Sequence, residues 1–212
     1  MVEDDVTYIR SLISAGVVQS PCLEAGAGLE GHNLKQFLND AGVSWSGTDL
    51  QAREAGFYAV DLGDDFARID AVFGGKRFRT LLLLNVIEHV FEPIKVMDNA
   101  CKLISPGGHL VVIVPSVWPL HYFPLDCWRI PPNFFEEYAA RRGVELLLPH
   151  FLYVTPGNQP ICRDLAGKPE YPKPSSDRRR YWKSRIVHRL FDTFGRTMST
   201  ASHVSTGAVF RV

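Results

Sequence analysis

Leu23-Glu24-Ala25-Gly26-Ala27-Gly28-Leu29-Glu30-Gly31 decides the fold class of this chain. Before it, Pro21–Ala25 is short and apolar enough for a buried strand. After it, Leu34, Phe37, Leu38 and Ala41 recur at i, i+3, i+4 and i+7, the spacing of one helix face, and Gly42 suits a C-terminal stop. Strand, glycine-rich turn and helix in that order form a cradle. The glycines let backbone approach a ligand, and the helix N-terminus favours negative charge.

Working outward, Val43-Ser44-Trp45-Ser46-Gly47 alternates as a strand does and leads into Thr48-Asp49; Phe57–Val60 is a third short strand ending at Asp61. Thr80–Leu84 is a continuous apolar run, as expected of a central parallel strand covered on both faces. Met97, Ala100, Cys101 and Ile104 share a helix face, Ser105-Pro106-Gly107-Gly108 is expected to end that helix, and His109–Val114 is a further buried strand. This alternation predicts an α/β fold with a mostly parallel sheet. Ligands of such sheets bind at the carboxyl ends of the strands, where Glu24, Asp49, Asp61, Asn85 and Pro115-Ser116 fall. Beyond Pro115, residues 118–132 are rich in proline, aromatic residues and histidine and predict an ordered loop. Phe134–Arg142 predicts a helix, Val144–Leu148 and Gly207–Val212 strands, and Arg178–Phe194 a basic amphipathic helix.

Composition narrows the classes. Of 212 residues 46% are hydrophobic and 22% charged, values of a folded globular chain rather than a disordered one. The formal net charge is 0, which argues against a dedicated nucleic-acid binder. No apolar run is long enough to span a bilayer, and the acidic start, Met1-Val2-Glu3-Asp4-Asp5, is unlike a secretory signal, so a cytoplasmic location is expected. Cys22, Cys101, Cys127 and Cys162 are scattered with no paired spacing, so neither a disulfide framework nor a metal site is expected. Charge is uneven along the chain: residues 1–70 carry twelve acids and four bases, residues 168–196 nine bases and three acids.

The glycine turn with Asp49 at the end of the second strand fits two cofactors, because a carboxylate there can bind both ribose hydroxyls of NAD or of S-adenosylmethionine. Glu24 separates them. A pyrophosphate near the turn would be repelled by it, whereas a sulfonium and an ammonium group gain Coulomb energy from it. Glu24 can also serve as a strand-end acid capping a nearby backbone group.

These stretches together resemble the class I S-adenosylmethionine-dependent methyltransferases: Cys22–Gly28 the first motif, Gly47-Thr48-Asp49-Leu50 the ribose-binding acidic motif, Asp61-Leu62 the adenine position, Leu84-Asn85-Val86-Ile87-Glu88-His89-Val90 with Pro93 the signature after the fourth strand, and Leu103–Leu110 the approach to the fifth. The resemblance covers about residues 20–150. It implies a doubly wound, Rossmann-like seven-stranded sheet of order 3-2-1-4-5-7-6, closed by an antiparallel C-terminal hairpin. One methyltransferase domain would span 1–212, with residues 156–200 inserted between the last two strands. It further implies that Glu24, Gly26, Ala27 and Gly28 line the methionine end of the cofactor, Asp49 and Leu50 the ribose, Asp61 and Leu62 the adenine, and Asn85 and Val86 the cleft near the methionine portion. The family's usual Asp before the fourth strand is Arg79 here, a departure that touches a local structural feature rather than a cofactor ligand.

His121-Tyr122-Phe123-Pro124-Leu125-Asp126-Cys127-Trp128-Arg129-Ile130-Pro131 follows the fifth strand and resembles a pattern in a subset of these enzymes, some associated with glycan or secondary-metabolite pathways. His121 is the candidate general base, its ordinary pKa near 6.5 suiting that task. Asp126 and Arg129 either lock the loop as an ion pair or leave Arg129 to grip an anionic acceptor. Tyr122 and Trp128 suit a pocket wall, and His89 either supports the site or touches substrate. The expected function is methyl transfer from S-adenosyl-L-methionine to a small-molecule or glycan acceptor at oxygen. The alternatives are a catalytically silent binding protein of the same fold and an NAD-dependent oxidoreductase. Residues 178–194 are expected to cover a sheet edge, contact a second copy in a homodimer, or touch a membrane surface.

Overall fold

The computed structural model describes residues 3–28, 34–51, 56–118, 120–121, 125–155, 159–160 and 204–212. Among them nine strands form one sheet: β1 (Cys22–Ala25), β2 (Trp45–Asp49), β3 (Phe57–Ala59), β4 (Phe78–Leu84), β5 (Ile104–Val117), β6 (Glu145–Leu146), β7 (Leu152–Thr155), β8 (Gln159–Pro160) and β9 (Val204–Arg211). The spatial order is β3-β2-β1-β4-β5-β9-β7-β8, with β6 also paired to β9. The first five strands run parallel, and β9 lies antiparallel between β5 and β7. Counting β6 and β7 as one interrupted strand, this is the expected 3-2-1-4-5-7-6 order, with two-residue β8 beyond it.

Strand periodicity divides the core into two layers. Leu81 and Leu83 of β4, Leu110, Val112 and Val114 of β5 and Ala208 and Phe210 of β9 face one side. There they meet α3 (Phe66–Phe73), α4 (Pro93–Lys102) and α5 (Pro132–Arg142) through residues such as Ile69, Phe73, Met97, Ala100 and Phe135. Leu82, Leu84, Val111, Ile113 and Val209 face the other side, against α1 (Glu3–Ser14) and α2 (Lys35–Asp40). The apolar run of β4 is thus read by both layers at once. The N-terminal helix α1 is an addition to the sequence expectation. Its signal is Tyr8, Ile9 and Leu12, which share one helix face and are all buried. Helix α3 is a second addition; Asp65 caps it by accepting the Ala67 N–H at 2.8 Å.

Several boundaries differ from the sequence reading, and three of them show long-range pairing that the pattern does not encode. Helix α4 ends at Lys102, and Ser105–Gly108 belong to β5, because Phe78 pairs with Ile104 while Gly107 N–H donates to the Val212 carbonyl and Val212 N–H to that of Gly108. The expected strand Val144–Leu148 is only Glu145–Leu146. Leu148–His150 then forms a short 3-10 turn, held where Tyr8 Oη donates to the His150 carbonyl at 2.6 Å, and Pro149 has no N–H to offer a ladder. Pairing with β9 resumes at β7. The last strand starts at Val204 rather than Gly207.

Arg79 has work of its own. Its guanidinium donates to Gln19 Oε1 and to the Pro106 and Gly107 carbonyls, tying the start of β4 to the β5 bulge. At that bulge Gly108 cannot carry a side chain: a Cβ would lie 2.7 Å from the Arg79 carbonyl oxygen and 2.9 Å from that of Ser105. Backbone atoms on both sides cannot rotate away. Gly108→Ala should therefore destabilise the fold by about 1–3 kcal/mol, seen as a lowered thermal midpoint.

Candidate functional site

All five parallel strands end at the same edge, and the order reverses between β1 and β4, where a crevice forms beyond their carboxyl ends. Gly26 and Gly28 follow β1 with φ of +64° and +57°, the left-handed region that an L side chain resists. A Cβ on Gly26 would come 2.7 Å from Val86 Cγ2, so the turn after β1 lies directly against the turn after β4. Ala27 is buried, its N–H bonded to the Thr48 carbonyl, and Gly28 N–H donates to Asp49 Oδ2 at 2.9 Å. Asp49 Oδ1 accepts from Leu50 N–H at 2.7 Å, and the Leu50 side chain is exposed. The acid at the end of β2 thus holds the glycine turn in shape.

Glu24 lies in β1 just before this turn, 3% exposed. Its Oε2 accepts from Leu34 N–H at 2.9 Å and from Trp45 Nε1 at 2.7 Å, so it caps the entry to α2 and anchors β2. Burial pushes its carboxyl up to about 7, against the lowering effect of those two bonds. After β3, Asp61 is exposed with Oδ1 bonded to Gly63 N–H. The Leu62 side chain belongs to the core and its carbonyl accepts from Asn99 Nδ2. Asn85 has φ of +54°, a strained position for a non-glycine residue, and its N–H donates to the Ile113 carbonyl. Strain of this kind gathers where backbone is shaped around a ligand.

Beyond Asn85 the turn carries Glu88 and His89, and the loop after β5 docks on it. Cys127 N–H and Trp128 N–H donate to the Glu88 carbonyl, and Trp128 Nε1 to that of Val90. Asp126 is the hub of the loop, its side chain 1% exposed. It forms a two-pronged ion pair with Arg129, accepts the His121 N–H at 2.8 Å, and lies 3.2 Å from His121 Nδ1. Arg129 also donates to the Trp118 and Trp128 carbonyls. The hydrogen bonds from Arg129 hold the Asp126 carboxyl well below the usual carboxylate range, and Asp126 in turn raises the guanidinium. The ion pair that the loop-locking reading calls for is present. The His121 and His89 rings meet edge to face at 4.9 Å, and His89 Nδ1 is 2.5 Å from the Leu125 carbonyl oxygen.

The geometry thus brings Gly26, Gly28, Asp49, Asn85, Val86, His89, His121, Asp126 and Arg129 to one edge of the sheet. Tyr122, the expected 178–194 helix and, apart from Gln159–Pro160 of β8, the 156–200 insertion lie outside the described residues. Two contributors were missed. Glu88 stood inside a quoted motif without a role, although an acid beside a histidine in an apolar stretch is a signal. Trp45 passed as an ordinary strand residue, and only the fold aims its indole at Glu24.

A family model described as "Methyltransferase domain" matches residues 9–198. No curated protein matches the chain by sequence. Among solved structures, the chain resembles a SAM-dependent methyltransferase from Archaeoglobus fulgidus at 10% identity and TM-score 0.58, covering 98% of this chain and 94% of that one. It also resembles the N-methyltransferase NodS from Bradyrhizobium japonicum WM9 with S-adenosyl-L-homocysteine, at 13% identity, TM-score 0.53, and 99% and 85% coverage. A third is magnesium protoporphyrin IX methyltransferase from Synechocystis PCC 6803 with bound SAM, at 12% identity, TM-score 0.52, and 98% and 76% coverage. At such identities the likeness is one of fold.

The raised Glu24 carboxyl makes stability depend on pH. The unfolded chain loses this proton near its ordinary value of 4.5, the folded one near 7. The stabilising contribution present below pH 4.5 is lost progressively as pH rises to about 7, and above that it is flat. Glu24→Gln should remove this slope, worth at most about 3 kcal/mol, so that urea unfolding at pH 5 and pH 8 differs less in the variant than in the parent.

Proposed function

This chain belongs to the class I S-adenosylmethionine-dependent methyltransferase family, and from that premise we propose that it transfers the methyl group of S-adenosyl-L-methionine to an oxygen of a small-molecule or glycan acceptor. The observation that supports the oxygen assignment is His121 in the loop after β5, its backbone N–H bonded to Asp126 and its ring beside the same carboxylate. The Asp126 carboxylate lies beside Nδ1 without a hydrogen bond to it; its charge favours the imidazole proton there, and Nε2 would then be the base.

The cofactor assignment is supported by the glycine turn, by Asp49 at the end of β2, and by Glu24. A cation near Glu24 would favour its charged form, whereas a pyrophosphate there would not. The oxidoreductase alternative falls with the family membership. Glu24, Gly26, Ala27 and Gly28 would take the methionine end, Asp49 and Leu50 the ribose, Asp61 and the Leu62 backbone the adenine, and Asn85 and Val86 the cleft between. His89 and Trp128 would wall the acceptor pocket, with Tyr122 as a further member. Among the described residues no helix is long and apolar enough to cross a membrane.

In the reaction the acceptor oxygen attacks the methyl carbon in line with the C–S bond. The O–C bond forms as the C–S bond breaks, the sulfonium becomes a neutral thioether, and the acceptor's proton is taken up on the acceptor side. Charge disperses on the way, so alignment and exclusion of water supply much of the rate. The locked loop supplies that alignment, since Asp126 and Arg129 set where His121 stands.

Two outcomes check this reading. S-adenosyl-L-homocysteine at 100 times its dissociation constant should stabilise the protein by about 2.7 kcal/mol in a melting experiment, and NAD should not; a shift with NAD alone would overturn the cofactor. His121→Ala should leave binding of that ligand nearly unchanged and lower methyl transfer by about 10²–10⁴-fold. Turnover by His121→Ala at the parent rate would remove His121 from the mechanism, and ligand binding without transfer to any acceptor would favour the silent binding protein.

A further inference from the structure

We propose that Glu88, His89 and His121 form a binding site for a divalent first-row transition metal of the zinc class, at the acceptor side of the crevice. One donor atom from each of the three lies within 4.8 Å of the others, and Glu88 Oε1 is 3.6 Å from His89 Nε2. Bonds of roughly 2.0–2.2 Å to such an ion place tetrahedral donors about 3.4 Å apart, so side-chain rotations of the order of an ångström close the site.

Three features beyond proximity support it. The Glu88 side chain is 1% exposed, so its charge acts in a poorly solvated place where a cation gains most. His89 Nδ1 faces the Leu125 carbonyl, and His121 Nδ1 faces Asp126 Oδ2 at 3.2 Å. The Leu125 carbonyl can only accept, so His89 carries its proton on Nδ1 and its Nε2 keeps a lone pair; His121 Nδ1 lies beside the Asp126 carboxylate without a hydrogen bond to it, and the charge of that carboxylate favours the same tautomer. Outer partners of this kind, a carbonyl and a carboxylate, are what metal-ligating histidines use. The two histidines come from different segments, the turn after β4 and the loop after β5, so an ion would cross-link what the Trp128 and Cys127 hydrogen bonds already dock. Arg129, whose charge is felt at Glu88, is neutralised by its pair with Asp126.

Two nitrogens and one carboxylate suit zinc, cobalt(II) or iron(II), and three protein ligands leave a position open. The inference rests on the proposed methyl transfer to oxygen and changes the part of His121 in it from base to metal ligand. An acceptor hydroxyl on the open position becomes more acidic and gives its proton to solvent, and His121 acts through the ion rather than taking the proton itself.

The test uses the full chain and cobalt(II) chloride, whose absorption separates nitrogen and oxygen ligands from thiolates. One cobalt per chain should bind with a spectrum free of thiolate bands, zinc should displace it, and the melting temperature should rise with metal and fall back with chelator. His89→Asn keeps a donor for the Leu125 carbonyl but has no Nε2, and should weaken binding at least about tenfold; His121→Asn should do the same. Binding of S-adenosyl-L-homocysteine by the same variants should be unchanged, and where it is not, isosteric Glu88→Gln is judged by the same criterion. No cobalt binding by the parent protein, a thiolate spectrum, or equal affinity in parent and variants would overturn the site. Cobalt binding in a protein that fails to bind S-adenosyl-L-homocysteine would instead overturn the methyltransferase reading and leave the metal site standing.

Discussion

Parallel strands that share a sheet all end at one edge, and in this chain that constraint places nearly everything with chemical potential. The strands β4 and β5 are apolar on both faces, so helices must cover both, and each crossover returns the chain to the same starting edge. The five carboxyl ends then deliver the glycine turn, Asp49, Asp61, Asn85 and the loop of His121 to a common crevice, although as many as 95 residues separate Gly26 from His121. Without the two-sided burial of Leu81–Leu84 there would be no reason for these groups to meet.

The crevice has two halves built by different means. The half formed by the turns after β1, β2 and β4 is shaped by backbone: two glycines in the left-handed region, Val86 filling the space that a Cβ on Gly26 would need, and Asp49 binding the N–H groups of Gly28 and Leu50. The half formed by the loop after β5 is shaped by charge. The Asp126 side chain, nearly without solvent, pairs with Arg129 and accepts the His121 N–H, and Arg129 donates to the Trp118 and Trp128 carbonyls.

Glu24 links the halves to stability. A buried carboxyl shifted to about 7 is held at a cost in the ionised state, and the N–H of Leu34 and the indole of Trp45 offset only part of it.

Pattern by itself determined the parallel sheet and the strand ends at which its polar residues gather, because these rest on short-range rules: the period of apolar residues, glycine at turns, acids at strand ends. Tyr8, Ile9 and Leu12 of α1 were equally legible and were passed over. What only the tertiary structure decided are relations between distant segments. The β5 extension to Ile104 depends on pairing with Phe78 and Val212. The break between β6 and β7 depends on Tyr8 reaching the His150 carbonyl. The choice between an ion pair that locks the loop and an arginine that grips an anion depended on where the Asp126 side chain was buried. Glu88, His89 and His121 form a cluster only because the turn after β4 and the loop after β5 leave the same sheet edge, a closeness that no spacing along the chain encodes.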